Sequence, residues 1–535
     1  MRTLLAAASL VLLANIAQAQ AVARPAKPQV TLGADIKQLL FDWEPAAGAT
    51  YYQLYVRYPG GSRFLPQGER LPASQTQLTL PVAVHLENWV DTFYVLGACN
   101  SAGCTSSSLM RPQNVMLDTI GYLKASNLEV NDAFGGNVVL SSDGFTLAVT
   151  ASGEASGATG VNGNQADNSA PYSGAVYVFR RRGNDWQQEA YIKAGASKQG
   201  LGFGSSVISG NHAVALSGDG SILVAAAPYD DVQGAISGSV YIYRRFRNTW
   251  TMVQKLSPPV PTDYAWFGFS IDISRDARTI KVSSVNYAQT QDLNYPSTYT
   301  HIYVKGESRW ERATTLEAFY PGDKCQAARL DALGQTLVSA CFNEASGVAR
   351  IVTMKGAGAT WVHADDLPVS NRVREPIAIN GAATWLAVRQ RMEPPISVEV
   401  YRWDAGQWVS AGGIPAIPSL EPLGTYGWGY FSALSDDGRL LAISDPTANE
   451  VGAGVSPIPK VANPSVDPVN IGAIYIYQRG ATPGSWTLRN VVKSRDPAHD
   501  TSFGMMALSA TGRTLAVGAG YDSGGAHRSG AVYLY

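Results

Sequence analysis

The sequence is poor in charge and in cysteine, and beyond its first residues it lacks any long hydrophobic run. Charged side chains make up 16% of the 535 residues and the formal net charge is -1, which gives no electrostatic reason to expect binding of nucleic acid or an anionic membrane. No later stretch approaches the roughly 20 apolar residues that a membrane helix needs. The few charges are mixed with 45% hydrophobic residues, a composition that excludes a disordered chain.

Residues 1–19 predict a secretory signal peptide. A basic start is followed by an apolar run, Leu4 to Leu13, and by the small-x-small sequence Ala17-Gln18-Ala19. The run is too short to span a bilayer, and the order of these features is typical of a cleaved export signal. We therefore expect an exported protein in the periplasm, at the cell surface or in the medium.

The four cysteines predict two local disulfides. Cys99 and Cys104 flank a short turn, and Cys325 and Cys341 lie on either side of the turn at residues 331–334. Of the three possible connectivities, 99–104 and 325–341 join neighbours across hairpins. The alternative is a metal site, but zinc needs four convergent ligands, and export to an oxidising compartment favours disulfides.

A hydrophobic module recurs along the chain from Phe134 to Tyr535. Each copy begins with an aromatic residue and glycine, then a short strand and a tight polar turn, often Asp-Gly, the strongest short-range hairpin signal. An apolar strand follows, then a strand led by glycine with strict alternation, as at residues 174–179, and then a tryptophan that begins a fourth strand. The aromatic-glycine pairs are Phe134-Gly135, Phe203-Gly204, Phe267-Gly268, Trp428-Gly429 and Phe503-Gly504.

Seven such units, at a period of roughly 60 residues, predict an all-β fold with a seven-bladed β-propeller over residues 118–535. A single sheet of so many strands would split, whereas radial stacking leaves only short edges. The last unit ends at Tyr535 without its tryptophan and fourth strand. Residues 118–125 resemble a fourth strand, so we predict that they pair with residues 530–535 and close the ring, which covers an edge that would otherwise promote aggregation.

The repeat resembles a known family. The aromatic-glycine pair, Ala226-Ala227-Pro228 and the Gly-x-Val-Tyr-x-Tyr strand are similar to the FG-GAP repeat, the blade unit of bacterial repeat proteins and of the integrin alpha-subunit head. Calcium-binding members carry Asp-x-Asp-x-Asp-Gly in the turn between the first two strands, whereas turns here, such as Ser142-Asp143-Gly144, have one or two carboxylates. We interpret the Asp-Gly pairs as turn residues and predict no cofactor, with calcium as the alternative.

Residues 24–112 lack the repeat and predict a small β-sandwich that precedes the propeller. Phe41-Asp42-Trp43, the alternating segment Tyr51 to Val56 and the late hairpin at Cys99 to Cys104 suit two packed sheets of about 90 residues. The segment resembles a fibronectin type III domain. In that family the domain is usually a spacer or a docking module.

In a propeller, the loops between strands two and three and those between successive units share one face, and binding usually resides in long loops on a rigid scaffold. Long loops in units six, seven and one predict a raised sector there. Exposed aromatic residues can anchor a protein or a sugar, although the two tryptophans have packing as their alternative role. The candidate partner-binding residues are Tyr264, Trp266, Tyr426, Trp428 and Asp522.

Composition and motifs favour binding over catalysis. The six histidines show no metal-ligand spacing, and no nucleophile motif is present, so we predict no catalytic residue and no metal ligand. We therefore predict an exported, adhesion-like protein, not an enzyme, that binds an unidentified protein or glycan and no nucleic acid. The alternative is a lectin or a carbohydrate-active propeller enzyme, in which acids such as Glu154, Asp230, Asp231 and Asp522 would have to converge in pairs.

Overall fold

The computed structural model describes residues 22–183, 185–207, 212–233, 235–285, 298–317, 319–326, 328–369, 377–390, 396–417, 427–449, 452–459, 471–482, 484–497 and 501–535. The fold is nearly all β, with 51% of residues in strands and 3% in helices. No helix in the described part of the chain is both long enough and apolar enough to cross a membrane.

The chain divides into two compact units. The N-terminal unit contains the described residues up to Leu32 together with Phe41–Leu78 and Thr92–Arg111, and the large unit contains Gly33–Leu40, Thr79–Asp91 and Pro112–Tyr535. Two segments that the sequence assigned to the sandwich therefore cluster with the large unit.

Residues 22–119 contain two sheets and two short 3-10 helices. The sheets have the strand orders β1-β2-β5 and β4-β3-β6-β7. The elements are β1 Val30–Asp35, β2 Gln38–Trp43, β3 Tyr51–Arg57, β4 Leu65–Pro72, β5 Gln77–Pro81, η1 Val84–Leu86, β6 Phe93–Asn100, β7 Gly103–Ser106 and η2 Pro112–Thr119. The Cys99–Cys104 disulfide joins β6 to β7, as predicted.

The described residues of the large unit contain seven antiparallel sheets of four or five strands, numbered here 1 to 7 in chain order. Sheets 1 to 3 contain β9 Phe134–Leu140, β10 Thr146–Ala151, β11 Ala175–Arg182 and β12 Asp185–Ile192; β13 Val214–Leu216, β14 Ile222–Ala227, β17 Ser239–Phe246 and β18 Thr249–Leu256; and β19 Ser270–Ile273, β20 Thr279–Val285, β21 Thr298–Lys305 and β22 Trp310–Leu316. A separate hairpin in the long loop of sheet 2 contains β15 Asp231–Val232 and β16 Ala235–Ile236.

Sheets 4 to 7 follow the same plan. They contain β23 Asp323–Cys325, β24 Arg329–Leu330, β25 Thr336–Asn343, β26 Ala349–Ala357 and β27 Thr360–Val369; β28 Ile377–Ile379, β29 Trp385–Gln390, β30 Ser397–Asp404 and β31 Gln407–Pro415; β32 Ser432–Leu434, β33 Leu440–Asp445, β34 Val455–Ser456, β35 Ala473–Arg479 and β36 Trp486–Val492; and β37 Phe503–Leu508, β38 Leu515–Ala519, β39 Ala531–Leu534 and β8 Gly121–Leu123. The predicted Cys325–Cys341 disulfide joins β23 to β25.

The last sheet is completed from the front of the chain. Strand β8 pairs antiparallel with β39, with Leu123 opposite Val532 and Tyr122 opposite Tyr533. The predicted pairing of these two segments is therefore confirmed. Val532 and Leu534 are fully buried, so the added strand covers an apolar edge that would otherwise invite pairing with another chain.

The first strands form a closed cycle. Each of β9, β13, β19, β24, β28, β32 and β37 contacts the next, and β37 contacts β9. Small sheets arranged in a closed cycle fit a β-propeller. Hydrophobic clusters lie between successive sheets. In one of them, Ala148, Val176 and Val178 of sheet 1 pack with Val214, Leu223 and Tyr241 of sheet 2.

A belt of hydrogen bonds joins the turns between first and second strands. The amide of Ser142 donates to the carbonyl oxygen of Gly218, and the chain of donors continues through Arg275, Ala332 and Gly381. The Asn380 side chain bridges to Asp436, whose amide donates to Ala510, and the amide of Ala510 donates back to Ser142. The belt therefore closes on itself across all seven sheets: six of its links are backbone hydrogen bonds, and the Asn380 side chain makes the link from sheet 5 to sheet 6.

The aspartates of the Ser-x-Asp sequences stabilise the turns in which they lie. In sheet 1 the Asp143 carboxylate accepts hydrogen bonds from the Ser141 hydroxyl at 2.5 Å and the Phe145 amide at 2.9 Å, while Ser141 Oγ accepts the Thr146 amide. Asp219, Asp276 and Asp437 make the equivalent contacts. These carboxylate oxygens stabilise turns, which agrees with the interpretation of the Asp-Gly pairs.

Candidate functional site

Three predicted ligand-face acids are equivalent to one another and are buried. Glu154, Asp230 and Asp522 each lie three residues beyond the alanine that ends a second strand, at the base of the loop that leads to the third strand. Their exposed fractions are 1%, 5% and 5%. In each case the carboxylate is paired with a lysine from the outer strand or from the residue just after it.

The pairing is a repeated cluster of acid, lysine and tyrosine, which we call the loop-base clusters. Tyrosines from the third or fourth strand donate to the same carboxylates: Tyr191 to Glu154 at 2.6 Å, Tyr241 to Asp230 at 2.9 Å and Tyr533 to Asp522 at 2.8 Å. The ion pairs are Lys193–Glu154 at 2.5 Å, Lys255–Asp230 at 2.8 Å and Lys124–Asp522 at 2.8 Å. The clusters tie the base of each loop to the sheet beneath it.

The electrostatics of the clusters follow from burial and pairing. Burial alone would favour the neutral form of Asp522, but hydrogen bonds from Lys124 and Tyr533 outweigh it and hold the pKa of Asp522 below its ordinary value. Burial lowers the pKa of Lys193 against the attraction of Glu154. Beside this cluster, burial and then the charges of Glu154 and Glu129 raise the pKa of Asp132 to about 7.

The structure separates the predicted partner-binding residues. Asp522 is held inside a loop-base cluster, and Trp428 is fully buried against Tyr475 in the core, the packing role weighed for it. Trp266 packs partly buried against a small core of Phe269 and Val285. Tyr264 alone of the four described candidates is substantially exposed, at 47%. Tyr426 lies outside the described residues.

Tyr264 belongs to a larger apolar surface that sequence reasoning missed. Five side chains on neighbouring loops of sheets 1 to 3 form this loop surface: Tyr172 at 62%, Tyr229 at 37%, Ile236 at 41%, Val260 at 70% and Tyr264 at 47% exposed. The Tyr264 amide donates to the Ile236 carbonyl oxygen at 2.9 Å, and the Gly202 amide donates to the Tyr172 carbonyl oxygen at 3.1 Å. These loops lie at the strand ends opposite the belt, because antiparallel strands alternate their connections between two ends.

Two of the exposed tyrosines have strained backbones. Tyr172 has φ 58° and Tyr264 has φ 60°. The left-handed region costs a non-glycine residue on the order of 1–2 kcal/mol and persists only where the surroundings enforce it. Exposed apolar side chains on adjoining loops are typical of an interaction site when they form a contiguous patch.

A cavity of about 550 Å³ lies beside the loop surface and is lined by residues that include Val260, Asp263, Tyr299 and His301. His301 occupies the third-strand position where sheets 1 and 2 have Tyr177 and Tyr241. Its Nε2 lies 2.9 Å from the Ser284 hydroxyl and its Nδ1 2.9 Å from the Thr315 hydroxyl. Burial, and then the charge of Arg312, lower the pKa of His301 to about 4, so the ring is neutral at pH 7.

The central cavity, about 220 Å³, is lined by the first strands and contains one cluster of charged side chains. Asp272 lies 3.3 Å from Arg329 Nε and 3.4 Å from Lys281 Nζ, and Arg329 donates to His212 Nε2 at 2.9 Å. Burial favours neutral Asp272, but Arg329 and Lys281 outweigh it and lower its pKa. The ion pairs join sheets 3 and 4, and the hydrogen bond to His212 connects them to the segment just before β13 of sheet 2. No sequence pattern predicts these contacts.

Acid should destabilise the fold through its buried histidines. Burial lowers the pKa of His212 to about 3, that of His85 to about 3 and that of His301 to about 4. These histidines therefore bind protons near pH 6.5 in the unfolded chain but only near pH 3 to 4 in the folded chain. Their contribution to the free energy of unfolding is fully present above pH 6.5 and is lost as pH falls toward 3 to 4. The measurement is the free energy of unfolding in urea between pH 6 and 4.5. Its slope against pH should be smaller in His212→Gln than in the wild type by about 1.4 kcal/mol per pH unit. The exposed His527→Gln should leave the slope unchanged, and an unchanged slope in His212→Gln would contradict the assignment.

Comparisons with known proteins give no family. A scan against protein families finds no match, and a search of the curated proteins finds none. Solved structures that resemble the fold include the Cps50 (Swd1) β-propeller domain of Myceliophteria thermophila, at 10% identity over 78% of this chain and 98% of that one with a TM-score of 0.46. Kuenenia stuttgartiensis hydrazine synthase is 14% identical over 74% of this chain and 96% of that one, with a TM-score of 0.44. Acinetobacter baumannii TolB is 12% identical over 73% of this chain and 79% of that one, with a TM-score of 0.31. Likeness this distant says nothing of activity.

Proposed function

We propose that the large unit is a seven-bladed β-propeller built from FG-GAP-type repeats, that the N-terminal unit is a fibronectin type III-like spacer, and that the protein is exported. Seven sheets in a closed cycle, a belt that passes through every first turn and the completed last sheet support the blade count. The two disulfides support an oxidising compartment.

The protein acts by binding, not by catalysis: the propeller presents its loop surface to a macromolecular partner. The observation that carries this proposal is the exposure of five apolar side chains at the same end of sheets 1 to 3, namely Tyr172, Tyr229, Ile236, Val260 and Tyr264. Tyrosine side chains supply large contact areas at little cost in conformational entropy and are enriched at the energetic centres of interfaces.

The sheets beneath the loop surface hold the bases of its loops in place. Below it, the loop-base clusters of sheets 1 and 2 anchor Glu154 and Asp230 to lysines and tyrosines of the sheets. Loops anchored at the base lose little freedom on binding, so less of the interaction free energy is spent on ordering them.

The test compares two ends of the propeller. Wild type, the double variant Tyr172→Ala/Tyr264→Ala and the control Phe246→Ala are immobilised and exposed to cell-surface and extracellular extracts and to a glycan array. Phe246 is an equally suitable aromatic control because it is 64% exposed and lies at the end of β17, on the belt side. We expect the retained protein or glycan to be lost, at least tenfold, from the double variant and kept by Phe246→Ala.

Each outcome decides something. Loss in the control alone would move the binding surface to the opposite end, and equal retention by all three proteins would overturn the loop surface as the site. Turnover of a retained polysaccharide would replace the proposal with the carbohydrate-active alternative.

A further inference from the structure

The N-terminal unit has a surface of its own on the sheet β4-β3-β6-β7. Arg57, Arg63, Arg70 and Arg111 lie on this sheet or at its loops, and in the described part of the chain none of the four makes an ion pair with a carboxylate. Glu69 is the one acidic residue in the four strands. The surface is therefore locally cationic, although the whole chain has a net charge of -1.

Aromatic rings hold three of these guanidinium groups. The guanidinium carbon of Arg57 lies 4.6 Å from the centre of the Phe93 ring and 5.3 Å from that of Phe64, and the guanidinium carbon of Arg111 lies 5.0 Å from Phe93. A guanidinium stacked on a ring keeps its N–H groups at its edge, where they can bind a carboxylate through two parallel hydrogen bonds. The rings thus orient the cations without neutralising them.

The sheet extends these contacts into a strip. Arg57 pairs with Phe93 at one end of β3, and at the other end Tyr51 carries Arg70, whose guanidinium carbon is 4.6 Å from the ring centre. Six residues of strand separate the ends by about 20 Å. Between them the Tyr55 ring lies over Gly97, where an added Cβ would come within 3.0 Å of it, so the middle of the strip is a flat aromatic surface.

We propose that this cationic strip binds a linear acidic polysaccharide through its uronate carboxylates. The spaced guanidinium groups complement repeated carboxylates, and the ring surfaces between them suit the apolar faces of sugar rings. Arg57 and Arg111 would bind one carboxylate across Phe93, and Arg70 would bind another further along the polymer. The Cys99–Cys104 disulfide lies in the same sheet, which agrees with an oxidising compartment where such polymers occur. The strip shares no residue with the loop surface of the large unit, and the proposal does not depend on that surface.

The experiment uses the full chain and polygalacturonate as the probe, with neutral dextran and polyglutamate for comparison. Binding is measured by calorimetry at 50 and 300 mM salt. We expect polygalacturonate to bind more tightly than both comparison polymers and to weaken as salt screens the charges. Arg57→Gln/Arg70→Gln/Arg111→Gln should lose at least tenfold in affinity, and Arg70→Gln alone, a single exposed change, should lose a smaller part.

The control is Arg309→Gln, an exposed arginine of the large unit that pairs with Glu311, and it should bind as wild type does. Tyr172→Ala/Tyr264→Ala should also bind polygalacturonate normally, which separates this inference from the proposed function. Unchanged affinity in the triple variant would overturn the site. Equal binding of dextran would overturn the role of charge, and equal binding of polyglutamate would assign the strip to acidic peptides instead.

Discussion

Replacing Gly530 with alanine is expected to destabilise the protein by about 2–5 kcal/mol. Gly530 immediately precedes the third strand of sheet 7 and has φ +83°, and an added Cβ would lie 1.9 Å from the carbonyl oxygen of Phe134 in sheet 1. That oxygen is backbone and cannot rotate away. Overpacking of this kind costs about 1–3 kcal/mol, and the left-handed conformation adds about 1–2 kcal/mol.

The control for this prediction is Gly200→Ala. Gly200 has φ +71° but no neighbour within 4 Å of an added Cβ, so only the backbone cost of about 1 kcal/mol applies. Urea unfolding of the two variants isolates the contact at the seam between the last and first sheets. Equal losses in the two variants would mean that the chain does not close at Phe134.

The contact at this seam recurs between other sheets, and it accounts for both the glycine before the third strand and the aromatic-glycine pair of the repeat. Gly174, Gly238 and Gly472 also immediately precede third strands. An added Cβ at each would lie 2.1–2.5 Å from the carbonyl oxygen of the aromatic residue in the next unit's aromatic-glycine pair. Glycine just before one unit's third strand and the aromatic-glycine pair of the next unit are therefore two sides of one contact.

The second large effect is expected at Lys193. Lys193→Met removes the cation of a pair whose side chains are 0% and 1% exposed and leaves the Glu154 carboxylate buried without its counter-ion. Breaking a buried pair in this way costs about 3–5 kcal/mol. Arg309→Met, which breaks the exposed Arg309–Glu311 pair, should cost less than about 1 kcal/mol.

The pH dependence identifies the cause of the Lys193 effect. The charge of Lys193 opposes the burial and the charges of Glu154 and Glu129 that raise the pKa of Asp132 to about 7. Without the lysine, the folded state should hold a proton in this acidic cluster more tightly, so the free energy lost in Lys193→Met should shrink as pH falls from 7 to 5. Guanidinium or urea unfolding at both pH values measures this. A loss that is the same at pH 7 and pH 5 would indicate damaged packing in place of an uncompensated charge.

Local patterns in the sequence were sufficient for much of the fold. Alternation of large and small residues located strands such as β11 and β17, Asp-Gly pairs located the first turns, and the short spacing of the cysteines located both disulfides. Pairing of β8 with β39 was also predictable. The last unit ends at Tyr535 without a fourth strand, and residues 118–125 resemble a fourth strand that belongs to no other unit.

The site was less predictable, because its contacts join residues that are far apart in the sequence. Asp522 had the position of a ligand-face acid, but Lys124 lies 398 residues earlier and neutralises it. The sequence favoured a core role for Trp428 but left a rim position open, and packing against Tyr475 decides for core. The exposure of Tyr172 and Ile236 gave no sequence signal, since exposure depends on what neighbouring loops leave uncovered.

The sequence by itself determined the repeating strands, their turns and the chemistry available at each turn, because those depend on side-chain periodicity and on residues a few positions apart. Only the tertiary structure decided which charges are neutralised, which aromatic residues pack and which remain exposed. Those properties depend on distances between sheets, and a linear pattern does not encode such distances.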